Sequence, residues 1–182
     1  LTPTTTMTLH KNRLYVSDPG GTGAFYPIRA QVFDLANLSF SHTLKLIPNN
    51  RDEFSELQGY YPYLLYPMEG GNLLVSYHRS PSDYQGAPRY IRYFILDDSG
   101  NIVGGPVLEQ KDRRQLTHYV KEAPTPYRAM HSFSFFEKSL LAVSNDDSLF
   151  TARSMDFEIN VKGAEGRQNR SFQHSFENVS LK

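Results

Sequence analysis

The chain has 182 residues, 39 % of them hydrophobic and 21 % charged, which suits one globular domain or part of a larger one. Lysine plus arginine equals aspartate plus glutamate, 19 against 19, so the chain carries no basic footprint for nucleic acid or for an anionic membrane. The absence of cysteine excludes disulfides, thiolate metal sites and a cysteine nucleophile, and no apolar run approaches the roughly 20 residues that a transmembrane helix needs.

Twelve tyrosines and twelve phenylalanines without tryptophan fit a β-rich chain. The first unit predicts strands in "TTMTLH" (5–10), "NRLYVSD" (12–18), "IRAQVFDL" (28–35) and "SFSHTLKLI" (39–47). "NNRDEFSELQG" (49–59) follows and predicts a short helix, capped by Asn50 and ended by Gly59, with Phe54 and Leu57 on one face. The second unit predicts strands in "YPYLLYPME" (61–69), "GNLLVSY" (71–77), "YIRYFILDD" (90–98) and "NIVGGPVLE" (101–109). The third predicts them in "MHSFSFFE" (130–137), "KSLLAVSN" (138–145), "DFEINVKG" (156–163) and "RQNRSFQHSF" (167–176). The Val-Ser pairs at 16–17, 75–76 and 143–144 anchor this alignment, 59 and 68 residues apart.

The second strands are almost continuously apolar, as in a strand buried on both faces. The fourth strands alternate: Phe40, Leu44 and Leu46 oppose Ser41, Thr43 and Lys45. Buried inner strands and a wetter outer strand, repeated in four-stranded antiparallel units, describe the blades of an all-β propeller. A β-sandwich is the runner-up, but it does not require one strand order three times. The units span 4–47, 61–109 and 129–177. First-to-second and third-to-fourth links are short hairpins such as "EGG" (69–71) and "DSGN" (98–101). Second-to-third links are long (18–27, 78–89, 145–155), and links between units longer still (48–60, 110–128). One end of the sheets is therefore expected to carry short turns and the other the elaborated loops, where function concentrates.

"NRLYVSD…IRAQVFDL", "GGNLLVSYHRS…YFILDDSGNIV" and "LLAVSNDDS…FEINVKGAEGRQNRSF" resemble the six-bladed β-propellers of the NHL and TolB-like group, common in secreted or lipid-anchored proteins of Bacteroidetes. The resemblance covers essentially the whole chain. It implies three blades of a six-bladed ring, the remaining half coming from the rest of the same protein, a second copy or another subunit. It also implies a periplasmic or extracellular location, or anchoring to a membrane through a segment outside this sequence. The non-methionine start at Leu1 fits an expected processed or excised chain.

On the elaborated end the candidate ligand-binding residues are Tyr63, His78, Arg79, Asp83, Arg89, Arg128, His131 and Asp146. Alignment on the Val-Ser pairs places Thr4, Tyr63 and His131 at equivalent first-strand positions. "KDRRQLTHYVKEAPTPYR" gathers charge, tyrosine and proline, a composition suited to protein contacts. The acids of "NDDS" and "LDDSGN" lack the spacing of a calcium loop, the serines lack a nucleophile elbow, and the sequons at Asn37, Asn169 and Asn178 are short enough to arise by chance. The expected function is a non-catalytic binding or assembly module that holds a protein or other ligand on its long-loop end, with no cofactor. The alternative is a metal-assisted lyase or hydrolase at the channel mouth, using His78, His118 and His131.

Overall fold

The computed structural model describes residues 6–18, 26–79, 89–112, 115–120, 127–132, 138–153, 158–163 and 168–173, with backbone alone for 115–119, 127–132, 168 and 169. Among the described residues the architecture is all-β. The first sheet holds β1 (Thr6–His10), β2 (Arg13–Asp18), β3 (Arg29–Asp34) and β4 (Ser39–Lys45), in that order and antiparallel throughout. The second holds β5 (Tyr60–Pro67), β6 (Leu73–Arg79), β7 (Tyr90–Leu96) and β8 (Ile102–Lys111) in the same arrangement. A two-stranded hairpin follows, β9 (Gln115–Val120) with β10 (Tyr127–Ser132). The third four-stranded sheet is β11 (Ser139–Val143), β12 (Leu149–Arg153), β13 (Glu158–Lys162) and β14 (Gln168–Gln173).

The sheets stack face to face with the second in the middle. Side chains directly opposite one another across an antiparallel pair share a face. The ladder Ser17–Ala30–Leu44 of the first sheet thus points the same way, and Ala30 and Leu44 join one core with Leu73, Val75, Tyr77, Phe94 and Leu96 of the second. The opposite face of the second sheet puts Leu74, Ile91, Tyr93 and Leu108 against Leu149, with Leu141 and Val143 alongside. Covered on both sides, β6 is buried at every position from Leu73 to Tyr77, whereas β2 alternates. The expectation that every second strand is buried on both faces therefore holds for β6 alone; β2, almost as apolar, is covered on one face because its sheet ends the stack.

The third unit requires a correction. The alignment makes 130–137 its first strand and the Val143-Ser144 strand its second. Instead β10 pairs with β9, and Val143 lies on β11, the first strand of its sheet. The expected loop 145–155 contains β12, and the expected loop 110–128 contains β9. Local chemistry explains the slip. Ser144 begins a hairpin turn in which its N–H donates to the Ser148 carbonyl at 3.0 Å and its hydroxyl oxygen lies 3.1 Å from the same carbonyl. The Asp-rich run after "LLAVS" is therefore a tight first-to-second-strand turn, and Asp147 adopts a positive φ of 62° within it.

The expected helix over 49–59 is two separate 3-10 turns, Arg51–Glu53 and Ser55–Leu57. Asn50 makes no side-chain cap. Its amide takes the Ile102 N–H at 2.8 Å and donates to the Ile102 carbonyl at 3.2 Å, imitating a strand neighbour for β8. Asn49 donates to the Ser99 carbonyl at 2.7 Å. The link between the first two sheets is thus stitched to the 97–101 hairpin, and Leu57, fully buried, pins it to the core with Phe54. Tyr77 locks the same junction, its buried hydroxyl donating to the Leu46 carbonyl at 2.9 Å. Burial pushes that phenol well above its ordinary pKa, so it stays a neutral donor.

Candidate functional site

Following the strands from turn to turn, the ends of β2, β4, β6 and β8 and the starts of β3, β5 and β7 lie toward one end of the first two sheets. There the links are long: 19–28, 46–59 and 80–89. The opposite end of these sheets carries tight turns at 11–12, 35–38, 68–72 and 97–101. The first two units thus have the expected asymmetry. The third does not, because β12 and β13 are joined by only 154–157.

Aromatic and cationic side chains meet at the long-loop end. Tyr26, just before β3, stacks on Tyr61 of β5 with ring centroids 4.3 Å apart. The Arg51 guanidinium stands 5.8 Å from the Tyr61 ring centroid and is held by the Leu57 and Tyr60 carbonyls at 3.0 and 2.6 Å. Tyr61 pairs with His78 across the β5–β6 ladder, and Tyr63 lies 4.4 Å from the His78 ring, tilted against it. Three chain segments, 26, 51 and 60–63, therefore converge on one partly exposed aromatic cluster, and the exposed Arg79 pairs with Tyr60 at its edge. Tyrosine supplies broad contact area with few rotatable bonds, and arginine supplies a planar array of donors. That combination suits recognition of a polar or protein ligand. Among the described residues, no three His, Asp or Glu side chains are grouped to hold a metal ion.

Of the candidate residues, Tyr63 and His78 meet here, and Arg79 follows His78 on β6, paired with Tyr60. Arg89 lies at the same end and is engaged internally: it forms an ion pair with Asp112 at 3.1 Å, with the two side chains 11 % and 9 % exposed, and donates to the Arg79 carbonyl at 2.8 Å. It ties the end of β6 and the start of β7 to the end of β8. Asp83 and the side chains of Arg128, His131 and His118 lie outside the described residues. The backbone nevertheless separates His131 from Tyr63 in kind, because it sits on the β9–β10 hairpin rather than on the first strand of a four-stranded sheet.

Asp146 belongs to the β11–β12 turn rather than to a long loop. Its carboxylate accepts the Ser144 hydroxyl and, at 3.4 Å, the Ser148 N–H, and the Ser144 bond holds it below the usual aspartate pKa. This turn joins a relay of first-to-second-strand turns: Lys11 donates to Glu69 at 2.6 Å, and the Glu69 N–H donates to the Asp147 carboxylate at 2.7 Å. The three corresponding hairpins therefore touch in sequence order at the tight-turn end.

Sequence reasoning singled out Tyr63 and His78 but passed over Tyr26, Arg51 and Tyr61. The usable signal was the tyrosine density of "YYPY" at the start of β5. Arg51 carried none, because its place depends on how the 3-10 turns fold back. No family model and no curated protein matches this chain.

Proposed function

We propose that the chain is a β-propeller-type binding or assembly module, without catalysis of its own, that holds a protein or other ligand on its long-loop end. The observation that carries this reading is the convergence of Tyr26, Arg51 and Tyr61, from three separate segments, beside Tyr63 and His78, with the exposed Arg79 next along β6. The repeated four-stranded antiparallel sheets and their face-to-face stacking support the propeller part. The backbone-held Arg51 and the stacked rings offer a surface that is largely pre-ordered, which lowers the entropy lost on binding.

The test is a comparison of partners retained from a matched extract by the wild-type chain, by Tyr61→Ala and Arg79→Ala, and by the tight-turn variant Leu38→Ser. The two long-loop-end variants should lose a partner that wild type and Leu38→Ser keep. Equal retention by all four, or loss confined to Leu38→Ser, would refute the reading.

A further inference from the structure

The stack repeats one kind of contact. Define the back of the second sheet as its face toward the first, and the front as its face toward the third. The buried ladder Leu73–Leu96–Ile102 lies on that back. Aligned through Val16 and Val75, the same register in the first sheet is Leu14–Phe33–Phe40, joined by Leu9 on β1. This ladder lies on the back of the first sheet, which nothing covers among the described residues: Leu9 is 65 % and Phe40 55 % exposed. The third sheet packs its own back on the second, and its front carries another complete four-strand ladder, Leu140–Ala152–Ile159–Phe172. That ladder is open too, with Ile159 45 % and Phe172 56 % exposed.

Inside the stack every contact is front on back, first to second and second to third. The two open faces are therefore one back and one front, the halves of the contact the chain already makes twice. We propose that a second copy of the chain covers them, its third-sheet front seated on the first-sheet back, in a head-to-tail closed pair of six stacked four-stranded sheets. Continuity favours a like partner: the open back has the ladder register that the second sheet buries against a front. Closure of two copies covers both ladders on both chains, whereas a back-to-back contact would leave both fronts open. The tight-turn relay Lys11–Glu69–Asp147 shows that successive sheets also keep one register along the stack, which a head-to-tail partner would continue.

Sedimentation velocity of the full chain at micromolar concentrations tests this, with Leu9→Lys and Phe172→Lys as variants. Both positions are more than half exposed, so the substitutions leave the buried core untouched, and far-UV circular dichroism checks folding. Wild type should sediment at twice the 20.8 kDa chain mass. Each variant alone should weaken association at least tenfold, by burying a lysine in both contacts of the pair. Mixing the two should recover a heterodimer, because one contact then joins an unaltered front to an unaltered back. A wild-type monomer overturns the proposal. So does association sensitive to only one of the two variants, which marks a face packing on itself, and so does failure of the folded variants to complement each other.

Discussion

The buried Ser76 hydroxyl accepts the backbone N–H of Leu64 at 3.0 Å and reaches its carbonyl at 3.4 Å. Leu64 lies where the β5–β6 register shifts between Pro62 and Leu65, so its backbone groups have no ladder partner there and the serine supplies one. Ser17 makes the same contact in the first sheet, accepting the Thr6 N–H at 3.1 Å and reaching the Thr6 carbonyl at 3.4 Å. This is the physical content of the repeated Val-Ser pair in the first two sheets: the serine fastens the second strand to the first, while only in β6 is the valine before it fully buried. Ser144 performs a different task in its turn.

Ser76→Ala and Ser17→Ala should therefore each destabilise the fold by about 1–2 kcal/mol, since a partly buried backbone N–H loses the acceptor that a buried serine supplied. Ser144→Ala, in a more exposed turn, should cost less than about 1 kcal/mol. Urea unfolding of the three variants checks the order, and equal losses for all three would show that the two buried serines are not special.

Gly105 has a φ of 139°, and a Cβ there would come within 2.6 Å of the Phe94 ring. Phe94 is fully buried and cannot swing away without disturbing the core. Gly105→Ala should cost about 1–3 kcal/mol from overpacking, with backbone strain added. Gly104→Ala, where a Cβ meets no atom within 4 Å, is the control and should be nearly neutral. Thermal unfolding of both variants reads the difference.

Arg89 and Asp112 close the long-loop end of the second sheet as a largely buried ion pair. Removing one partner leaves a charge with little access to water. Asp112→Ala should destabilise by roughly 2–4 kcal/mol, and Arg89→Met, which deletes the charge but keeps an apolar stem, by less than the aspartate change. Denaturant titration of both single variants and the double variant gives the coupling, which should exceed that of the exposed Lys11–Glu69 pair.

Glu69 is exposed, yet the Lys11 ammonium, through its hydrogen bond and its charge, holds the carboxyl below the ordinary 4.5. A carboxyl whose folded pKa is depressed adds stability above its unfolded pKa and loses it as the pH falls through the folded value. The contribution of this pair is thus present at neutral pH and fades below about 4.5, the ordinary value. Lys11→Met should return the Glu69 titration toward that value. Carbon-detected NMR titration of the Glu69 carboxyl measures the shift, and an unchanged midpoint in the variant would rule out Lys11 as its cause.

The local elements of the first two units were legible from residue order alone. Alternation in β4, two-sided apolarity in β6 and Asn-, Gly- or Asp-bearing turns are properties of a few neighbouring residues, so strand positions and the short turns could be read directly. Residue order also identified an aromatic first strand, with Tyr63 and His78 on adjoining strands. Which strands pair depends on the packed fold. "LLAVS" has the composition of an inner second strand, and nothing local distinguishes it from "LLVSY" except the turn that Ser144 opens. The short β12, with Phe150 facing outward, carries too weak a signal to be separated from loop. The same limit hid the site. Tyr26, Arg51 and Tyr61 meet because the first and second sheets stack and because the 3-10 turns return Arg51 to the start of β5. That convergence depends on distant segments packing together, and no window of sequence contains it.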